Sequence, residues 1–313
     1  MATTTGSPRL RQAPRGRQFP RDRAARRRSA VPAVLLTPAL AFLAVFVFVP
    51  ALLTPVLALF NIDLIGRTAS FTGLQNLRAE VSNGELLTGV RNTVLYTVLT
   101  VPPALAVGLL SALGIRRIRR GKSFWRTVYF LPTAATLVAM AVAWKWIFAP
   151  DGLFDHTVGA LTGTSDWLND YSLALPALAV VGVWQQSGFN TVLFLAGLTA
   201  VPNDAIEAAT LDGANAWQRF RHIIWPAIGP STTFAVITST TTALRAFDQI
   251  QVLTGGGPGD ATKTLTFLLW SRGVSYLDVG GAAVLAVALL LLVALITVWQ
   301  VRSFRQLEKE GAR

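Results

Sequence analysis

Charged residues are absent from long parts of this 313-residue chain, and their absence sets its organisation. Six windows of 18 residues or more hold no Asp, Glu, Lys or Arg: 29–62, 92–115, 127–144, 171–203, 222–244 and 279–301. No other uncharged stretch exceeds 11 residues. A helix needs about 20 apolar residues to cross a hydrocarbon core about 30 Å thick. Each window therefore predicts a spanning helix, near 32–60, 92–115, 125–148, 171–201, 223–244 and 279–301. The third is the shortest and draws on Trp146 to Phe148, beyond Lys145, whose long stem can reach the interface. The prediction is an all-α, polytopic membrane protein with six transmembrane helices, its membrane domain covering 30–305. Pro102, Pro103, Pro132, Pro176, Pro202 and the pair Gly280 and Gly281 interrupt the windows. Within a bundle such residues kink helices or let them approach closely.

Composition sharpens this picture. Hydrophobic residues make up 52% and charged residues 14%, against about 25% charged in soluble proteins. The absence of cysteine excludes disulfides and thiolate metal sites, and two histidines leave little for an imidazole site. Net charge is nevertheless +12. A nucleic-acid binder is also basic but would not carry long uncharged runs, so no nucleic-acid partner is expected.

Sorting the charges by loop explains the basicity. Six spans put both termini on one side, with residues 1–28, 116–126, 204–221 and 302–313. That side has 21 Lys and Arg against 6 acids, and the other side has 7 against 10. The positive-inside bias predicts cytoplasmic termini and a multi-pass protein of a bacterial-type plasma membrane. The segment 1–29 carries nine Arg, from Arg9 to Arg28, and is expected to be a disordered cytoplasmic tail. It can set topology or touch anionic head groups. Residues 306–313 are expected to be a second cytoplasmic tail. Arg26 to Arg28 before an apolar run resemble the start of a signal peptide, but that run is too long for one. An uncleaved first helix is expected.

No energy source is visible. Gly121-Lys122-Ser123 ends like a phosphate-binding loop, but the glycine required five positions earlier is Arg116, and a membrane helix precedes the segment. The uncharged windows offer no carboxylate for a proton relay. No paired catalytic carboxylates and no Ser-His-Asp set stand out. The acids of loop 149–170 (Asp151, Asp155, Asp166, Asp170) match no calcium-loop spacing. The chain reads as a pathway whose motor is a partner.

The most specific stretch lies between the fourth and fifth windows, at 203–226. It reads Glu207-Ala208-Ala209-Thr210-Leu211-Asp212-Gly213, then nine residues, then Ile223-Ile224-Trp225-Pro226. Asp204 and Glu207 are spaced as a capping box, Ala208, Ala209 and Leu211 favour helix, and Gly213 allows a sharp turn. A second short helix is expected from near Ala214–Trp217. Two short helices on one face would fit a groove in a partner.

This stretch resembles the EAA loop of ABC importer permeases, with Trp225 in place of the family's leucine. Other segments resemble the maltose and glycerol-phosphate branch: Phe71-Thr72-Gly73-Leu74-Gln75-Asn76, Asn92-Thr93, Phe194-Leu195-Ala196-Gly197-Leu198 with Pro202, and Phe247-Asp248-Gln249-Ile250 followed by Thr254-Gly255-Gly256-Gly257-Pro258. The resemblance covers roughly 32–305. It implies a type I (MetI-like) importer permease bundle, half of a translocation pathway. The implied partners are a second, related permease, two ATPase subunits and an external solute-binding protein. No cofactor is expected in this chain; ATP and magnesium belong on the partner ATPases. The chain itself is expected to be non-catalytic.

Glu207, Ala208, Ala209, Asp212, Gly213 and Pro226 are the candidate ATPase-coupling residues. Candidate path residues are polar or aromatic groups in or beside apolar spans: Gln185, Gln186, Asn190, Thr241, Arg245, Phe247 and Asp248. Amides and hydroxyls can replace water on a sugar's hydroxyls; the same groups can serve as hydrogen bonds between helices. Arg245 and Asp248 are close enough in sequence to pair. The expected cargo is carbohydrate-class: a di- or oligosaccharide, an amino sugar or a glycerol-phosphate compound. Two other classes remain open at this point. One is a multi-span membrane enzyme such as a lipid-linked glycosyltransferase, and the other is an ion-coupled carrier.

Overall fold

The structure is a computed structural model and describes residues 35–63, 66–118, 120–163 and 166–311. The arginine-rich segment 1–29 lies outside the described residues. The chain falls into two units, Met1–Leu53 and Thr54–Arg313.

Among the described residues four helices are long and apolar enough to cross a membrane: Leu35–Leu57, Glu85–Arg117, Ala174–Thr199 and Val279–Phe304. The first, α1 (Leu35–Leu57), contains a π-wound turn at Ala44–Phe48 and Pro55 within its last turns. A hairpin follows, of β1 (Phe60–Asp63) and β2 (Thr68–Phe71), antiparallel with Phe60 opposite Phe71. The all-α expectation is corrected to this extent. Two runs of four residues pair here, and the two phenylalanine rings meet edge-on at 5.4 Å. The hairpin leads through Gly73 into α2 (Gln75–Ser82). Asn76 Nδ2 ties the two together, donating to the carbonyls of Ala58 and Phe60 at 2.9 Å each.

α3 (Glu85–Arg117) has 33 residues and is about 50 Å long at 1.5 Å per residue, so it outruns the bilayer core. Its charged start, Glu85 and Arg91, lies outside the uncharged window that predicted the span. α4 (Lys122–Ala134) and α5 (Leu137–Ile147) occupy the third window. They do not form a straight span: the pair is bent by 99°. Ala135 and Thr136 at the break are both extended, and Pro132 has already removed one N–H from the ladder. α4 instead packs on α6 (Ala174–Thr199), where a Cβ at Gly188 would collide with the Tyr129 carbonyl. Thr133 Oγ1 donates to the Gln185 carbonyl at 3.3 Å across the same crossing.

The α3–α6 contact is the centre of the molecule. A Cβ at Gly108 would lie 2.6 Å from that of Asn190, so glycine sets the spacing of the two backbones. Tyr96, Leu178 and Val181 fill one end of this contact, and Ala112, Phe194 and Leu198 the other. Asp170, on the loop before α6, orders the turn that leads into that helix by accepting from the Ser172 N–H and hydroxyl and the Leu173 N–H. Those hydrogen bonds, chiefly from Ser172, hold its carboxyl below the ordinary range.

α7 (Asn203–Leu211) and α8 (Ala216–Arg219) form the loop singled out by sequence. A π-wound turn, Phe220–Ile224, then leads to α9 (Gly229–Leu244). This helix has 16 residues, shorter than its window, because Pro226 and Pro230 withhold two N–H groups around a break at Ile228. α10 (Asp248–Leu253) and α11 (Leu265–Trp270) are short. α12 (Val279–Gly311) is one helix to its end, so residues 306–311 of the expected C-terminal tail are helical and continuous with it. No proline or glycine interrupts it between Ala282 and Glu310.

Polar pairs bind the bundle together. Gln300 Nε2 on α12 donates to Thr240 Oγ1 on α9 at 2.9 Å. Asn92 Nδ2 on α3 donates to the carbonyls of Asp260 and Lys263, and Thr93 Oγ1 accepts from the Leu265 N–H at 2.9 Å. These two adjacent residues hold the last long loop to the second span.

Candidate functional site: coupling loop and inter-helix cavity

The loop 203–226 is built from local signals. Pro202 is extended (ψ 125°) and starts α7 without a side-chain cap. The capping box expected of Asp204 and Glu207 is not formed, because the helix begins at Asn203, two residues earlier than an Asp204 cap would place it, and puts Asp204 inside the first turn. There its charge favours the positive end of the helix. Asn203 Oδ1 accepts from Arg116 Nη2 at 3.2 Å, joining the loop to the end of α3.

α7 ends in a Schellman motif. The Ala214 N–H reaches the Ala209 carbonyl at 2.9 Å, the Gly213 N–H reaches that of Thr210 at 3.1 Å, and Gly213 is left-handed with φ +81°. The turn therefore requires glycine where the motif has it. The capping box lies four residues downstream of that helix. Asn215 Oδ1 accepts from the Gln218 N–H at 2.9 Å, and Gln218 Oε1 from the Asn215 N–H at 2.8 Å. Trp217 stacks on Phe220 at 5.7 Å, and Phe220 meets Trp225 at 5.9 Å. The tryptophan that departs from the motif thus extends an aromatic row. Ile206, Ile223 and Ile224 pack against the core of Ala112, Phe194, Leu198 and Ile228 and anchor the loop to the bundle.

The rest of the loop stands free. Glu207, Ala208, Asp212, Gly213 and Pro226 are exposed and Ala209 is half-buried. Leu211 is 89% exposed and Trp217 68% exposed. Large apolar side chains on an otherwise polar surface mark an interaction site.

A second set of residues meets where α9 gives way to α10. The backbone leaves the helix at Arg245 and re-enters it at Asp248, with Ala246 buried between. A cavity of about 190 Å³ opens at this break, lined by Gln185, Gln186, Thr242, Arg245, Phe247, Asp248 and Gln249 among others. Five of the seven candidate path residues converge there. Arg245 and Asp248 share the lining without an ion pair between them. Phe247 rests on Trp270, ring centroids 5.5 Å apart. Gln186 is buried with Oε1 unpartnered.

Asn190 and Thr241 are elsewhere. Asn190 is fully buried between helices and accepts from Ser239 Oγ at 3.0 Å. Thr241 Oγ1 donates to the Ile237 carbonyl in its own helix at 2.8 Å. Gln249, like Thr242 and Ala246, lines the cavity without being among the candidate path residues. It lies beside Asp248 in the segment Phe247 to Ile250, and its Nε2 donates to the buried Tyr96 hydroxyl on α3. That bond depends on a contact 153 residues away, which no local pattern records.

Residues 104–309 match the family model of the binding-protein-dependent transport system inner membrane component. The chain belongs to this family. It is 34% identical over 281 residues to a protein of Brucella abortus, the sn-glycerol-3-phosphate transport system permease protein UgpA, covering 89% of this chain and 95% of that one. It is 32% identical to the osmoprotective compounds uptake permease protein GgtC of Synechocystis, over 87% and 98% of the two chains. Its fold matches the structure of a bacterial ABC transporter involved in import of the acidic polysaccharide alginate, with TM-score 0.76, 17% identity and coverage of 90% and 98%. A methionine ABC transporter matches with TM-score 0.55 over 71% of this chain. The chain is an ABC importer permease, an inner-membrane component of mostly helical structure.

Proposed function

We propose that this permease forms half of the pathway of an ATP-driven importer for a carbohydrate-class solute. Six spans complete the bundle: the four long helices, the bent α4–α5 pair and α9 with the turns before it. Both termini lie in the cytoplasm, in keeping with the charge asymmetry of the loops. A second permease supplies the other half, two ATPase subunits hold ATP and magnesium, and an external binding protein delivers the solute. The relatives named for glycerol phosphate and osmoprotective compounds support the solute class.

The observation that carries the coupling role is the exposed pair α7–α8. It presents Leu211 and Trp217 outward while Ile206, Ile223 and Ile224 are held in the bundle. Such an element docks on one side and pulls on the other. ATP binding closes the ATPase pair, the docked loop moves with it, and the bundle changes the face to which its path opens. A partner drives the change only through its different affinity for the two states. Glu207, Ala208, Ala209, Asp212, Gly213 and Pro226 form the docked surface and its turns. At the cavity, the unpartnered Gln186 Oε1 and the groups of Thr242, Arg245 and Asp248 offer acceptors and donors to solute hydroxyls, and Phe247 offers a ring face.

Glu207→Lys and Gly213→Pro in the assembled importer test the coupling. Each is expected to lower solute-stimulated ATP hydrolysis and uptake at least about tenfold, a loss of about 1.4 kcal/mol in coupling, while Gly213→Ala has a smaller effect. Unchanged stimulation in both would overturn the role of the loop.

A further inference from the structure

One further cavity is neither the candidate solute site nor the coupling surface. It measures about 670 Å³ and lies between the end of α3, the start of α4 and the end of α6. One wall is apolar, with Leu195 and Leu198 of α6 prominent. The other is cationic: Arg116, Lys122 and Arg126 line it, with the Ser123 hydroxyl, and no acid does. Among the described residues none of the three cations makes an ion pair. Arg116 spends one amine on Asn203, and its other amine, Nη1, is buried without an acceptor. A buried cationic donor left unmatched is costly, so Nη1 favours an anionic acceptor at this wall.

The start of α4 adds to the same field. Gly121 precedes this 13-residue helix in a left-handed conformation, φ +78°, and offers no side-chain cap to the first-turn N–H groups. Those groups carry the positive end of the helix dipole beside Lys122 and Ser123. Gly121-Lys122-Ser123 therefore keeps a disposition toward anions although it lacks the sequence of a nucleotide loop.

We propose that this cavity holds the phosphate of an anionic phospholipid, its acyl chain against Leu195 and Leu198. Three ends of spanning segments meet there, which is the depth of lipid head groups. Positive charge faces the phosphate and the apolar wall faces the chain, a combination that a soluble anion would not use. The lipid phosphate accepts from Arg116 Nη1 and leaves the Arg116–Asn203 bond in place. Asn203 opens the coupling helix α7, so the bound lipid steadies the base of the element that the ATPase engages. This inference rests on the membrane location of the family and not on the identity of the solute.

The test uses the assembled importer, purified from native membrane and exchanged into nanodiscs of phosphatidylcholine. Phosphatidylglycerol is titrated in, and retained lipid is counted by native mass spectrometry. Wild-type importer is expected to retain phosphatidylglycerol in preference to phosphatidylcholine. Lys122→Gln with Arg126→Gln is expected to weaken retention about 25-fold, from about fivefold per charge removed, whereas the charge-conserving Arg126→Lys alone is expected to keep retention near that of the wild type. Equal retention by wild type and the double variant would overturn the proposal. Displacement of the lipid by millimolar inorganic phosphate would also overturn it, because the site would then be one for free anions. A cross-link from position 122 to an acidic segment of an ATPase subunit, with no lipid retained, would overturn it in favour of a protein contact. Solute uptake is not read in any arm, so failure here leaves the transport function untouched.

Discussion

Two side chains on α6, four residues apart, show what single positions contribute. Gln186 faces the inter-helix cavity with an unpartnered oxygen, while Asn190 is fully buried between helices, its oxygen on Ser239 Oγ and its amide nitrogen unpartnered. Composition makes them equivalent, since both are amides in an apolar span. The register of α6 against α3 separates them. Their variants should separate as well. Ser239→Ala leaves Asn190 without its donor and should cost about 1 kcal/mol, seen as a lower unfolding temperature with uptake rate little changed. Gln186→Ala should lower uptake about tenfold, as expected for about 1.4 kcal/mol of lost hydrogen bonding, with unfolding temperature unchanged. The reverse pattern would move the solute path from the cavity to the α6–α9 contact. Gly213 is the opposite case of legibility. Its left-handed φ follows from being the residue that ends a helix of alanines, and the sequence alone locates it.

Among elements, those defined by local pattern were legible and those defined by neighbours were not. The windows 92–115, 171–203 and 279–301 each contain the apolar body of a helix in the structure. The third window did not show its 99° bend, because the close approach of α4 to α6 at Gly188 is a tertiary contact. The hairpin β1–β2 was missed because its strands are four residues each, too short to display alternation. The capping residue of the coupling loop was misplaced by the stronger start signal of Pro202, and the true box sat on the second helix.

A charged cluster outside the uncharged windows also emerged only in three dimensions. Arg272 bridges Glu80 on α2 at 3.2 Å and Glu85 on α3 at 2.9 Å, and Asp278 is near enough to influence the Glu80 carboxyl. Burial raises the Glu80 carboxyl above its ordinary range, Arg272 opposes this, and Glu85 and Asp278 add to it. The folded chain therefore keeps this proton to higher pH than the unfolded chain. Stability from this group is full below the ordinary value of 4.5 and is lost as pH rises through the raised value. Thermal unfolding of the importer measured across this window should fall with rising pH, and Glu80→Gln should flatten that component. An unchanged slope in the variant would assign it to other groups.

For the whole molecule, the apolar helices and the exposed loop belong together as parts of one permease. Membership of the permease family assigns the chain a share in transport, and in the proposed assembly the exposed two-helix loop is where it would meet the ATPase subunits. The most direct measurement is uptake of a carbohydrate-class solute into sealed vesicles holding the reconstituted importer, with its binding protein outside and ATP varied inside, before and after an ionophore collapses the ion gradients. Uptake that needs both ATP and binding protein and survives the ionophore is the predicted result; uptake that continues without ATP and stops with the gradients would contradict the account.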